Sequence, residues 1–387
     1  MGAHIRGRAA DGFRIALGSL SVVAIAALAG AVLIALTGGN PIKTYGAILS
    51  GSGLQWFVPW LGAGERTSAA FGLQQTLIMF VPLVLLGVAV AIPLRAGLFN
   101  IGGTGQYLLG SFSAALVGSW FTGLPALIHL PLAVLAGVAA GAVWAAVAGV
   151  LRAYVGTNEV VVTIMLNYVA IWAGSYLFGL GGPFQNSAQP TQPVSEDVVR
   201  QARIPVIWGS SALQGLHAGI VVVPVVLFLM WLLYHRSTVG FETRAVGVNV
   251  EASRYLGIPV ARRYAGAMVV GGVFAGLAGA MDVLGWQLRI VTSDLQGVQL
   301  GFVGIAVALL GRNSPVGIFF SAALFSVLLS GTSVRNLDPT VYPVELAGYL
   351  AMVGQGLIIV LVSLDAARAN GFIARVRSRL MHRKVQA

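Results

Sequence analysis

The sequence predicts an all-α fold, a polytopic membrane helix bundle of about ten spans, with an inverted internal repeat. Three observations lead there. Hydrophobic residues fill 57% of the 387 positions and charged residues only 9%. A soluble chain carries roughly 25% charge, so this one has too few polar groups to cover a water-facing surface. Apolar runs close to the ~20 residues that cross a bilayer core recur along the chain. Lysines and arginines fall between those runs and not inside them, which is where membrane proteins keep them. Gly, 51 of 387, stands at about twice its usual ~7% share, and transmembrane helices tolerate it better than soluble ones.

In chain order the apolar runs lie at about 15–37, 74–93, 105–122, 127–149, 160–179, 217–235, 266–284, 297–311, 314–332 and 343–364. Several are short or broken by Gly. Pro59, Pro93, Pro125, Pro183, Pro205, Pro259 and Pro315 fall between or at the ends of runs, as boundary signals do. The first run is too long for the core of a signal peptide and no small-residue cleavage site follows it, so it reads as an uncleaved span. With both termini placed in the cytoplasm, 17 of the 23 basic residues fall inside and 6 outside. The reverse topology would invert that ratio, and an even number of spans keeps the two basic ends together. The net charge of +11 is thereby assigned to topology and not to nucleic acid. No linker or soluble domain interrupts the pattern. The expectation is one transmembrane domain over 1–387, with a basic cytoplasmic tail from about 365.

Two connections are long, 180–216 outside and 236–265 inside. The segments 95–119 and 289–312 resemble each other: each starts with Arg, passes a polar Gly-containing stretch with a Gln, and becomes a Gly/Ala-rich helix. They run in opposite directions, as inverted transporter repeats do. Spans two to five are paired on this basis with spans seven to ten.

Much chemistry is excluded. There is no cysteine, hence no disulfide or thiolate site. Lys43 follows Ile42 and Lys384 follows Arg383, so the Gly-Lys-Ser/Thr of a P-loop is missing. The Gly102–Gly105 stretch lacks the strand–turn–helix context of a dinucleotide site. The five histidines show no metal spacing, and no Ser gathers a His and an acid. The chain is not expected to be an enzyme. Ion-coupled transport needs titratable groups in the bilayer, and only Asp282, Glu345 and Glu159 approach the spans. What occupies the spans is neutral and polar: Asn100, Gln106, Asn158, Asn167, Gln299 and Gln355. Such amides offer both donors and acceptors to a neutral solute. They serve equally as interhelical ties, at about 0.6 kcal/mol each.

Three segments stand out. In GLFNIGGTGQ at 97–106, Gly102, Gly103 and Gly105 are poor helix-interior residues, and they predict a broken helix. In GTNEVVVTIMLNYVA at 156–170, Thr157 or Asn158 is placed to cap the fifth span. In the third segment, Asn249 is a good N-cap, Glu251 suits the positive helix end, Gly257 suits C′, and Pro259 restarts the next helix. That predicts a short rigid helix over 249–257 on the inner side.

Together these motifs resemble the permease subunits of ABC importers, specifically the branched-chain amino acid/simple sugar permease superfamily and its nucleoside-type members. FNIGGTGQ at 99–106 is similar to the Phe-Asn-Ile-Gly-x-x-Gly-Gln pattern of that group. Asn158-Glu159-Val160 with Thr163 to Tyr168 resembles its second signature. Glu251-Ala252-Ser253-x-x-x-Gly257 resembles the segment by which importer permeases contact their ATPases, and residues 302–317 resemble a fourth block. Many relatives carry Glu where this chain has Thr104.

The resemblance implies a location in the bacterial cytoplasmic membrane and a nucleoside as solute, with a simple sugar as the alternative and ion coupling as a more distant one. It implies two ABC ATP-binding subunits that hydrolyse ATP, with no cofactor bound by this chain. It also implies a second, paralogous permease and an extracytoplasmic substrate-binding (lipo)protein. A coupling role is implied for Glu251 and Gly257, with Ala252 and Arg254 of the same segment. A substrate-path role is implied for Asn100, Gln106, Asn158, Glu159 and Asn167, with Gln299 expected opposite the broken helix.

Overall fold

The computed structural model describes residues 23–210, 215–295 and 299–333, with scattered positions between 336 and 361. Arg6, Arg8, Arg14, Glu345, Gln355 and the basic tail lie outside the described residues. The chain forms two compact units. The first comprises residues 1–47 and 332–387, the second 48–331.

α1 (Val23–Leu36), in the first unit, leads with a bend of 115° into α2 (Pro41–Gly51), whose residues up to Ala47 belong to the same unit. Asn40 makes the turn, its Oδ1 accepting from the backbone of Ile42 and Lys43 at 3.0 and 3.2 Å. Tyr45 ties the pair by donating its hydroxyl to Ala27 O at 2.6 Å. The sequence does not announce α2, since eleven residues are too few to read as a span.

The second unit holds α3 (Ala63–Arg95), α4 (Gly103–Trp120), α5 (Ala126–Val150), α6 (Glu159–Phe178) and α7 (Val222–Arg236). It continues with α8 (Thr238–Val248), α9 (Val250–Tyr255), α10 (Val260–Asp282), α11 (Thr292–Leu295), α12 (Leu300–Leu310) and α13 (Pro315–Gly331). α3 begins at 63, where the apolar run predicted 74, because a polar and exposed first stretch containing Glu65 and Arg66 still forms helix. α3 and α10 are mostly buried inside the protein, whereas α5, α6 and α7 keep most of their apolar surface outward, as lipid-facing helices do. Among the described residues six helical stretches are long and apolar enough to cross a membrane, or seven with α1–α2 taken as one bent span. The protein is thus a multi-pass helical membrane protein.

α4, α5 and α10 cross at backbone contact. A Cβ on Gly141 would lie 2.5 Å from Gly272 O and 2.6 Å from Gly276 Cα, and one on Gly110 would lie 2.6 Å from Gly276 Cα. Small residues permit this approach, which gives the packing that holds helices together where lipid supplies no hydrophobic drive.

The connections sort into two ends. At one end Gly97 meets Gly247, Arg95 Nη2 donates to Asn313 O at 2.8 Å, Arg263 pairs with Glu242 at 2.6 Å, and the Arg152 guanidinium lies 5.9 Å from the Tyr264 ring centroid. These arginines belong to the set assigned inside. At the other end the 180–216 loop packs on 288–292. Val198 N donates to Leu288 O at 2.8 Å, Ser195 N to Ile290 O at 2.9 Å, and Val199 N to Gly118 O at 3.0 Å. A two-stranded antiparallel hairpin, β1 (Val206–Trp208) and β2 (Leu216–His217), closes this loop.

The glycine crossing makes a sharp prediction. Gly141→Leu, which forces bulk between α5 and α10, should destabilise the protein by at least about 1–3 kcal/mol. Gly266→Ala on α10, where a Cβ meets nothing within 4 Å, should leave stability unchanged. Thermal unfolding of the purified protein in detergent, read by Trp fluorescence, compares the two.

Candidate functional site

α3 ends in a full Schellman motif. Gly97, at φ 78°, donates its N–H to Leu94 O at 3.1 Å, and Leu98 N donates to Pro93 O at 3.0 Å. The chain then leaves helical geometry through Phe99, Asn100 and Ile101 and re-enters it at Gly103. α4 starts level with Leu86: a Cβ on Gly103 would lie 3.8 Å from Leu86 Cδ2. Leu86 is nine residues from Arg95, or about 13 Å along α3, close to half of a ~30 Å hydrocarbon core.

α12 starts at the same level. A Cβ on Gly304 would lie 2.8 Å from Leu86 Cβ, and Gly301 packs directly on Thr104. From there α4 runs to the Gly118 end and α12 to the Asn313 end. Two half-helices of opposite direction therefore meet N-terminus to N-terminus in the interior. Their partial positive ends and free N–H groups face one region.

The break is sealed by side chains. Asn100 is fully buried; its Oδ1 accepts from Gly102 N at 3.0 Å and from Gln106 Nε2 at 3.1 Å, and its Nδ2 donates to Gln106 Oε1 at 3.1 Å. Asn167, on α6, accepts from Gly105 N at 2.8 Å and donates to Ile101 O at 2.9 Å. It acts as an N-cap for α4 supplied by another helix. Glu159 joins Arg152 at 3.2 Å and accepts from Phe99 N at 3.4 Å. Four of the expected path residues, Asn100, Gln106, Asn167 and Glu159, thus gather on the broken segment. Asn158 does not join them: it is exposed and caps α6, accepting from Val160 N and Val161 N at 2.9 and 3.3 Å. Gln299 is exposed at the start of α12, two residues from the Gly301–Thr104 contact, and makes no capping hydrogen bond.

Two buried groups at the break were not singled out as site residues. Among the described residues the Thr104 hydroxyl and the Trp144 indole N–H have no hydrogen-bond partner, and a Cβ on Gly105 would lie 3.0 Å from that indole nitrogen. A second cluster lies on the first turns of α4. Tyr107 donates its hydroxyl to Asp282 Oδ2, which also accepts from Gln287 Nε2 at 2.9 Å. Asp282 is visible in the sequence as an acid near a span end, but its partner Tyr107 stands 175 residues away and carries no local signal.

At the arginine-rich end the predicted short helix is present as α9. Asn249 Oδ1 caps it by accepting from Ala252 N at 3.0 Å. A second Schellman motif ends it, with Gly257 at φ 75°, Gly257 N donating to Arg254 O at 2.9 Å and Ile258 N to Ser253 O at 3.0 Å. Glu251 and Arg254 pair at 2.9 Å on its surface. Glu251, Ala252, Arg254 and Gly257 are all exposed. So are two apolar neighbours, Tyr255 at 92% and Leu256 at 74%, which a solvated loop would not be expected to present together. Pro259 follows directly and opens α10.

A multi-pass helical protein with half-helices meeting inside it and a rigid helix projecting at one end has the build of a transport permease. The chain belongs to the family described as branched-chain amino acid transport system / permease component, which it matches over residues 72–363. It is 37% identical to the guanosine ABC transporter permease protein NupP of Bacillus subtilis (strain 168), over 81% of this chain and 84% of the relative. It is 34% identical to the nucleoside ABC transporter permease protein NupB of Lactococcus lactis subsp. cremoris (strain MG1363), over 88% and 91%. It is also 36% identical to the glucose ABC transporter permease protein TsgB13 of Haloferax volcanii, over 81% and 79%.

Two substitutions test the two ends of this site. Asn167→Leu removes both partners of Gly105 N and Ile101 O and should cost about 2–4 kcal/mol, roughly 1–2 for each backbone group left unpaired. Thermal unfolding should show that loss. Gly257→Val meets no steric obstacle, since nothing lies within 4 Å of a Cβ there. It should cost only the left-handed backbone term, about 1–2 kcal/mol, and loosen α9 without reducing the amount of inserted protein. Faster amide hydrogen exchange confined to 249–258 would report it.

Proposed function

We propose that this chain is the membrane permease subunit of an ATP-driven importer, and that its solute is a nucleoside. The observation that carries the reading is the pair of half-helices meeting at Thr104 and Gly301 beside buried neutral amides. A neutral, hydrogen-bonding solute matches such a lining better than an ion does. The similarity to permeases named for guanosine and for nucleosides supports the same solute class.

In this reading the path runs between α4 and α12. Asn100 and Gln106, which bond each other in the closed arrangement, exchange those bonds for solute when the half-helices part. Asn167 and Glu159 hold the broken segment, while Asn158 and Gln299 stand at the approaches. α4 and α12 are counterparts in an inverted repeat. About ten spans result when α4, α13 and the apolar run at about 343–364 are added to the seven that include the bent α1–α2 pair. Both termini are cytoplasmic, in keeping with 17 of 23 basic residues on that side.

The exposed helix α9, with Glu251, Ala252, Arg254 and Gly257, docks on a cytoplasmic ATPase. Two such ATP-binding subunits supply the energy, and this chain binds no nucleotide cofactor. A second, paralogous permease completes the pore, and an extracytoplasmic binding protein delivers the solute to the end formed by 180–216. The second reading is the same machine moving a simple sugar, which the similarity to a glucose permease favours.

Uptake of labelled nucleosides and pentoses by a strain lacking this chain separates the two. Nucleoside uptake should fall to background and pentose uptake stay unchanged; the reverse pattern would establish the sugar reading. Glu251→Ala should cut uptake several-fold at unchanged permease level. Uptake that survives inactivation of the partner ATPase but collapses with an uncoupler would overturn ATP-driven transport.

A further inference from the structure

A cleft of about 860 Å³ opens at the arginine-rich end, between the turn that closes α5 and the segment joining α9 to α10. Arg152, Arg254 and Arg262 line it together with Tyr154 and Tyr264. Arg152 is held by Glu159 and Arg254 by Glu251, whereas Arg262 is exposed and has no ionic partner among the described residues. The cleft therefore carries an uncompensated positive charge. The first turn of α10 lines it as well, and its N-cap, Pro259, contributes no side-chain acceptor, so free backbone N–H groups add to the positive field.

A second feature leads away from this cleft. Val143, Val147 and Val150 are exposed at helical spacing along α5, a helix that keeps most of its apolar surface outward, and Tyr154 is exposed in the wide turn Leu151–Val155 that closes it. The stripe ends at Tyr154 on the cleft rim. Tyr at the boundary of an apolar band is the usual mark of the headgroup level.

We propose that the cleft binds the headgroup of an anionic phospholipid, its phosphate beside Arg262, Arg254 and Arg152 and its acyl chains along the Val143–Val147–Val150 stripe. Basic pockets between spans on the cytoplasmic side suit such headgroups. The apolar stripe distinguishes a lipid from free phosphate, which has no chain to lay against it. The placement in the inner leaflet rests on the orientation proposed above. The site adjoins α9 through Val250 and Arg254, so an occupied cleft stiffens the junction between the docking helix and α10.

The test uses the full-length purified protein in detergent and needs neither solute nor ATP, so its outcome is separate from that of the transport assays. Retention of phosphatidylglycerol is compared with retention of phosphatidylcholine of the same acyl chains by native mass spectrometry. The wild type should retain phosphatidylglycerol at least about fivefold better, the ratio expected for ~1 kcal/mol per basic residue near a headgroup. Arg262→Gln should bring the two lipids close to parity, and Arg262→Lys should restore the preference. Equal retention by the wild type overturns the site. A preference undiminished in Arg262→Gln overturns it too. Displacement of the lipid by glycerol phosphate at equal concentration would show a simple anion site and overturn the lipid assignment.

Discussion

Inside a bilayer every backbone N–H and C=O has to find its partner within the protein, and the break at 96–102 is where this chain meets that demand most severely. Several of its backbone groups are answered by named partners. Gly97 and Leu98 close back onto α3, Phe99 N finds Glu159, Ile101 O and Gly105 N find Asn167, and Gly102 N finds Asn100. With these bonds in place α4 can begin about 13 Å in from the end of α3, level with Leu86. Without them the chain would have to continue as helix, and the interior meeting of α4 with α12 would not exist.

That meeting imposes its own composition. Gly301 lies against Thr104, and Gly304 against Leu86, at separations that admit no side chain. The same economy of volume recurs where α4, α5 and α10 cross through Gly110, Gly141 and Gly276. The Gly content is thus the condition for bringing broken and unbroken helices to backbone contact. Thr104, buried and with its hydroxyl unpaired among the described residues, lies directly against Gly301. A longer acid at this position would need Gly301 to retreat.

The break is physically continuous with the end that carries α9. Glu159, which receives Phe99 N, is paired with Arg152, and the Arg152 guanidinium lies over Tyr264 of α10. α8 is pinned to the same helix through Glu242 and Arg263. α9 is capped at both ends and joined to α10 by Pro259. α9 is thus linked by contacts through α10, Arg152 and Glu159 to the segment that begins α4. These are short, stiff connections of ion pairs and caps, the kind of contiguous elements along which two arrangements of a protein can be linked.

The sequence by itself determined the class, the location of the broken helix and the cap-to-cap extent of α9. These are local properties: composition sets the solvent, glycines interrupt helices, and Asn249 and Gly257 act within a few residues of themselves. A cap of α6 at Thr157 or Asn158 was legible for the same reason, and the structure gives the role to Asn158. The sequence also determined that Arg95, Arg152 and Arg263 share an end, because a charge at each loop is a local fact with a global consequence. Only the tertiary structure decided which polar side chains work on which backbone groups. Asn167 caps a helix 62 residues away, and Tyr107 reaches Asp282 across 175. Asn100, Gln106, Asn158 and Gln299 read alike in one dimension, yet the first two are buried and paired while the last two are exposed. An amide's role depends on what lies within about 3 Å of it, and in a helical membrane protein that neighbour comes from another helix.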